Sequence, residues 1–114
     1  MLIDRVSFGS LVMDGRKYGS DVLIFPDGRV EVGWRRARGH RLAVEDVERL
    51  VEAGPEIIVA GMGVFGRMKP EPDVEERLLQ AGIRFLAAPN KRAMALFNEA
   101  ARKGLAGGCF HLTC

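Results

Sequence analysis

Three short stretches of this 114-residue chain carry residue types whose spacing could do chemistry. Residues 57–66 read Ile-Ile-Val-Ala-Gly-Met-Gly-Val-Phe-Gly, an apolar run that opens into Gly61-x-Gly63-x-x-Gly66. Glycines so spaced after a strand let the backbone approach a pyrophosphate, which is the chemistry of a dinucleotide site. Cys109, His111 and Cys114 gather two thiols and an imidazole, the donors of a zinc site or of a thiol nucleophile with its base. Trp34-Arg35-Arg36-Ala37-Arg38-Gly39-His40-Arg41 sets an aromatic beside four arginines, the combination that stacks on and neutralises single-stranded nucleic acid.

Each pattern is tested by what it needs around it. A dinucleotide site places its third glycine at the opening of a helix, whose free N–H groups hold the phosphates, and it ends the next strand on an acid for the ribose. Here Arg67-Met68-Lys69-Pro70-Glu71 follows Gly66, so the helix opens only near Pro72, and Ala87-Ala88-Pro89 ends the next strand. No dinucleotide and no other cofactor is expected. Strand alternation puts Cys109 and His111 on one face and Cys114 on the other, so one strand cannot aim all three at a metal. Two cysteines five positions apart on a strand also point away from each other, which predicts reduced thiols. Nothing in the sequence orients His111 as a base, and Cys109 and His111 read as buried, hydrogen-bonded core residues. The arginine segment lacks a repeat or a second aromatic, so it reads as a solvated loop with Trp34 packed at a sheet edge, and nucleic acid is not expected as a partner. Asp21 precedes an apolar strand and reads as a turn cap. No acid pair and no serine elbow appears.

The elements that must position these residues change character at Leu42. Before it the chain is strand-like. Segments 7–12 and 16–18 flank Asp14-Gly15, and segments 22–25 and 30–34 flank Pro26-Asp27-Gly28, two pairs that predict β-hairpins. After it, Val44, Val47, Leu50 and Val51 recur at helical spacing, which predicts an amphipathic helix over 43–53 stopped by Gly54 and Pro55. A charge-free strand over 57–60 is expected to be central, with both faces covered. A helix over 72–81 follows with Val74, Leu78 and Leu79 inward, then a strand over 83–88. Asn90 suits the N-cap of a helix over 91–103, whose inward stripe is Ala93, Met94, Phe97, Ala100 and Ala101. A last strand, from 105 or 106 to 113, closes the chain. Alternating strands and helices require right-handed crossovers and a mostly parallel sheet in the second half. The expected fold is therefore a layered α/β domain with a mixed central sheet, a β-α-β-α-β second half and N-terminal β-hairpins.

Composition agrees with a single globular unit over 1–114. Hydrophobic residues are 47% and charged residues 28% of the chain, and the formal charge is +2. A domain of this size buries roughly two thirds of its unfolded surface. The longest apolar run falls far short of the ~20 residues that span a bilayer. The N-terminus Met-Leu-Ile-Asp-Arg has no basic stretch leading an apolar one, which predicts a cytoplasmic protein without membrane association.

Ligands of parallel sheets collect outside the carboxyl ends of strands. Two loops leave from such ends, 61–69 and 89–92. If their strands are neighbours, Gly61, Met62, Gly63 and Gly66 share a rim with Asn90, and Arg67, Lys69, Lys91 and Arg92 make that rim positive. A small anionic ligand is the chemistry that such a rim would take.

Phe8-Gly9, Ser20-Asp21-Val22 with Pro26-Asp27-Gly28, Trp34-Arg35 with Gly39-His40-Arg41-Leu42, Gly61-Met62-Gly63, Gly82-Ile83, residues 93–98 and His111-Leu112-Thr113 occur in an order that resembles one family. It is the small α/β domain family of unknown biochemistry that includes vertebrate adipogenesis-associated proteins and a mitochondrial respiratory complex I assembly factor. The resemblance implies a mixed central sheet with hairpins, no established reaction, and action through protein partners. It also implies threonines where this chain has Met62 and Asn90. From it, and from the scarcity of catalytic groups, a non-catalytic protein-interaction or assembly module is expected.

Overall fold

The computed structural model describes residues 1–113. Three strands, β1 (Ile3–Ser7), β2 (Ser10–Met13) and β3 (Arg16–Tyr18), form an antiparallel sheet in that order. Asp14 and Gly15 both take positive φ, 51° and 80°, as the β2–β3 turn requires. The strand expected over 7–12 is instead broken by a turn at Phe8-Gly9. Gly9 has φ 73° there, and its N–H donates to the Leu112 carbonyl at 2.7 Å.

The second sheet has five strands. β4 (Val22–Ile24) and β5 (Val30–Val32) make the second hairpin, and β7 (Ile57–Gly61), β9 (Arg84–Ala88) and β10 (Ala106–Phe110) are mutually parallel. The spatial order is β5-β4-β10-β7-β9. β7 is an interior strand next to the edge, while β10 takes the middle of the sheet; Gly61 of β7 lies opposite Phe110 on one side and Ala88 on the other. A short parallel pair, β6 (Arg41–Leu42) with β8 (Lys69–Pro70), carries no sequence signal of its own.

Helices cover both faces. α1 (Val44–Glu52) and α2 (Pro72–Gln80) close one core around Val47, Leu50, Ile58, Ala60, Leu78 and Cys109. α3 (Asn90–Lys103) and the hairpin sheet close the other, around Ile3, Leu11, Ile57, Val59, Phe97 and Phe110. Alternate residues of β7 enter opposite cores, which is why no charge is tolerated there. Each fully buried aliphatic side chain of this kind contributes about 1.5–3 kcal/mol.

Local chemistry sets the helix starts. Ala43 has no capping oxygen, so Asp46 reaches back, its Oδ2 accepting the Ala43 N–H at 2.8 Å and its Oδ1 the Ala37 N–H at 3.0 Å. Pro72 occupies the first turn of α2. Leu79, expected inward, is 74% exposed. Val74 and Leu78 stand one above the other four positions apart, and Leu79 lies about 100° round the helix from Leu78. No described helix is long and apolar enough to cross a membrane.

Candidate functional site

β7 leads on to α2 on one face, and its neighbour β9 leads to α3 on the other. The connections therefore diverge at the carboxyl ends of β7 and β9, where an open α/β sheet leaves a crevice for ligands. The two loops singled out from the sequence leave from this point. In this chain Asn90 fills it.

Asn90 is only 2% exposed. Its Oδ1 accepts the Gly63 N–H at 3.1 Å, and its Nδ2 donates to the His111 carbonyl at 2.7 Å. Its own N–H donates to the Gly63 carbonyl at 3.1 Å. The side chain thus caps no helix, and the N-cap of α3 is Pro89. This corrects the expected role: with Pro89 at the N-cap, Asn90 moves into the first turn and its amide is free to tie loop 61–66 to the chain after β10. Gly61 is needed beneath it, because a Cβ there would lie 2.5 Å from Asn90 Oδ1 and against the Phe110 ring. Gly66, with φ 67°, packs on Pro89, where a Cβ would come within 2.9 Å of Cγ.

Three further donors of the glycine loop are also committed. Met62 N–H donates to the Ala88 carbonyl, Val64 N–H to the Thr113 carbonyl and Gly66 N–H to the Gly63 carbonyl, at 2.9, 2.9 and 3.1 Å. Met62 is buried, while Arg67, Lys69, Lys91 and Arg92 are exposed. Lys69 lies on β8 beside Arg41, its N–H donating to the carbonyl of His40, whose ring is 5.9 Å from that of His111.

Beside Asn90 is a cluster that was not legible as one in the sequence. Asp21 Oδ2 accepts from Arg36 Nη1 at 2.9 Å and lies 2.8 Å from His111 Nδ1, while Oδ1 accepts the Leu112 N–H at 2.8 Å. His111 Nδ1 also lies 3.1 Å from Arg36 Nη2, so a protonated Nδ1 donates to Asp21 and a bare Nδ1 accepts from Arg36. Nε2 lies 3.3 Å from the Thr113 hydroxyl, which can donate to it or accept from it. Burial of Asp21 works to raise its pKa, but the bonds from His111, Leu112 and Arg36 outweigh it and hold the carboxyl below its ordinary range. An acid, an imidazole and a hydroxyl in line outline a nucleophile relay, but Arg36 occupies the same carboxylate oxygen as His111. The carboxylate is spent on joining three segments, 21, 36 and 111–112, that are far apart in the chain. Asp21 thus holds a tertiary network in place of the turn expected of it.

The other two chemical patterns resolve into packing. Trp34 is buried, its Nε1 donating to the Asp46 carbonyl at 3.1 Å, with the Arg36 guanidinium 4.9 Å from its ring centre. Its faces are occupied within the fold. Cys109 sits in the α1–α2 core, where burial pushes its thiol up to about 12. Cys114 lies outside the described residues. Among the described residues no group of three metal-ligating side chains comes together.

What remains outward at this end is apolar and cationic. Phe8 is 62% and Phe65 68% exposed. Their loops are pinned to consecutive carbonyls, Gly9 to Leu112 and Val64 to Thr113, and Arg67 lies 5.8 Å from the centre of the Phe65 ring. A signal for both was present: each phenylalanine stands directly before a glycine, Phe8-Gly9 and Phe65-Gly66, although the expected strand over 7–12 absorbed the first.

These features define a small α/β domain in which a buried asparagine ties together the loops at the carboxyl end of the sheet. The chain belongs to the protein family of unknown function DUF498/DUF598, whose model matches residues 3–109. It is similar to the conserved hypothetical protein PH1505 from Pyrococcus horikoshii OT3, at 26% identity and a TM-score of 0.85 over 100% of both chains. It is similar as well to a protein designated MT938, at 26% identity and a TM-score of 0.83 over 99% of this chain and 98% of that one. A Bordetella parapertussis protein shares the fold at 17% identity, with a TM-score of 0.80 over 97% of this chain and 94% of that one.

Proposed function

We propose that this protein is a non-catalytic interaction module that grips a protein partner with the carboxyl end of its sheet. The observation that carries the reading is the exposure of Phe8 and Phe65 on loops anchored side by side, flanked by Arg67, Lys91 and Arg92. Large aromatics and arginine are the residues enriched in the energetic centres of protein interfaces, and a rigid backbone beneath them lowers the entropy lost on binding. The hydrogen bonds through Asn90 and Asp21 supply that rigidity. The resemblance to adipogenesis-associated and complex I assembly proteins supports the same role. The anion suited to the rim is then a carboxylate of the partner, met by side-chain cations, because the glycine N–H groups are turned inward.

The test is quantitative affinity purification from the native host with three baits. A partner recovered in near-stoichiometric amount on the wild type should fall about tenfold or more on Phe8→Ser/Phe65→Ser. It should fall likewise on Arg67→Glu/Lys91→Glu/Arg92→Glu. An identical set of co-purifying proteins on all three would overturn the proposal, as would turnover of any substrate in a broad hydrolase and reductase panel.

A further inference from the structure

β9 is an edge of the five-stranded sheet, and its pairing with β7 uses only one of its sides. Arg84 N–H donates to the Glu56 carbonyl at 3.1 Å and Met62 N–H donates to the Ala88 carbonyl at 2.9 Å, so residues 84, 86 and 88 face β7. In a parallel ladder the alternate residues face the other way, which turns the N–H and C=O groups of Phe85 and Ala87 outward. No described strand covers them. Arg84 is the only charge on this edge, and beyond it the strand carries no bulge, proline or lysine.

Beside this edge α2 leaves an open groove of about 500 Å³, lined by Pro72, Glu75, Glu76, Leu79, Ile83, Arg84 and Phe85, so two carboxylates face one guanidinium across it. Leu79 is the most exposed large apolar side chain described, and it stands here beside partly buried Phe85. Neither Glu75 nor Glu76 joins an ion pair among the described residues. The groove therefore offers a ladder of hydrogen bonds, an apolar floor and, on its α2 side, an acidic wall, with Arg84 at the start of the strand as its one cation.

We infer that the free edge of β9 takes up an extended basic segment of another protein as a sixth strand. Alternate residues of such a segment would fall on the α2 side. Lysine or arginine at those positions lays its methylenes over Leu79 and Phe85 while its charge reaches Glu75 and Glu76. A second copy of this chain is the poorer occupant. Two-fold pairing of β9 with itself would set α2 beside α2, bringing Glu75 and Glu76 against their own copies at a desolvated seam. The partner surface at Phe8 and Phe65 is cationic, so the two surfaces select opposite charges and can hold two different segments together.

The test uses the full chain and two capped peptides, Val-Lys-Val-Lys-Val-Lys-Val and its glutamate counterpart, read by residue-resolved amide hydrogen exchange. The lysine peptide should slow exchange at Phe85 and Ala87 by about tenfold or more, and the glutamate peptide should leave both unchanged. Ala87→Pro removes an N–H that pairs with nothing in the fold, so its unfolding midpoint should hold while the protection disappears. Glu75→Lys/Glu76→Lys should transfer the protection to the glutamate peptide, which keeps the test decisive if the proline variant misfolds. Unprotected Phe85 and Ala87 at saturating lysine peptide would overturn the inference, as would equal protection by both peptides. Protection that grows with protein concentration in the absence of peptide would assign the edge to a second copy instead.

Discussion

Asn90 donates its carboxamide N–H to the carbonyl of His111 at 2.7 Å, across 21 positions of chain, while its oxygen holds the Gly63 N–H. One side chain thereby joins the ends of β7, β9 and β10 at the point where an open sheet would otherwise admit a ligand. Asn90→Ala leaves a buried donor and a buried acceptor unpaired, and each costs about 1–3 kcal/mol. Urea unfolding should show a loss of about 2–6 kcal/mol in total, among the larger effects of a single substitution.

Gly61 should tolerate nothing larger. Its missing Cβ is the space taken by the Phe110 ring and the Asn90 carboxamide, both themselves packed. Gly61→Ala is expected to destabilise by about 1–3 kcal/mol. Gly19 has open space around it and no positive φ, so Gly19→Ala should stay within about 0.5 kcal/mol of wild type in the same denaturation series.

Asp21 sets the acid limb of stability. Its folded carboxyl titrates below the ordinary value of 3.8, so the unfolded chain takes up the proton first as pH falls. The stabilisation is fully present above the ordinary range and is lost as pH drops through the folded value. Asp21→Asn should therefore be less stable than wild type at neutral pH and should lose less further stability below about pH 4. Thermal unfolding across that range checks both signs.

Cys109 should be chemically silent in the folded state. Burial pushes its thiol up to about 12, so almost no thiolate is present near neutrality and the side chain is out of reach of reagents. In a Cys114→Ser background, alkylation at pH 8 should proceed only at the rate of unfolding and should accelerate sharply in urea. Ready labelling of the native protein would contradict that burial.

Much of the fold was legible because it rests on periodicity and turn chemistry. The charge-free run at β7, the 3.6-residue stripe of α1 and the Asp14-Gly15 turn each specify their element locally. Two misreadings came from adjacency. Leu78-Leu79 looks like one apolar unit, although a helix turns its members to different sides, and an unbroken reading of 7–12 overlooks the Phe8-Gly9 turn that the Leu112 carbonyl holds. The site was less legible because its bonds are long-range. The 61–66 and 89–92 loops could be paired only by assuming that their strands are neighbours. Nothing near Asp21 in the chain announces Arg36 or His111, and the role of Asn90 depends on a carbonyl contributed by the end of β10.

Backbone amide exchange, with and without the partner recovered on the wild-type bait, tests most directly whether the aromatic and cationic end of the sheet is the gripping surface. Protection is expected to concentrate at residues 8–9, 63–67 and 91–92. Protection confined to the opposite end of the sheet, or to the β4–β5 hairpin, with those three segments unchanged, would contradict it.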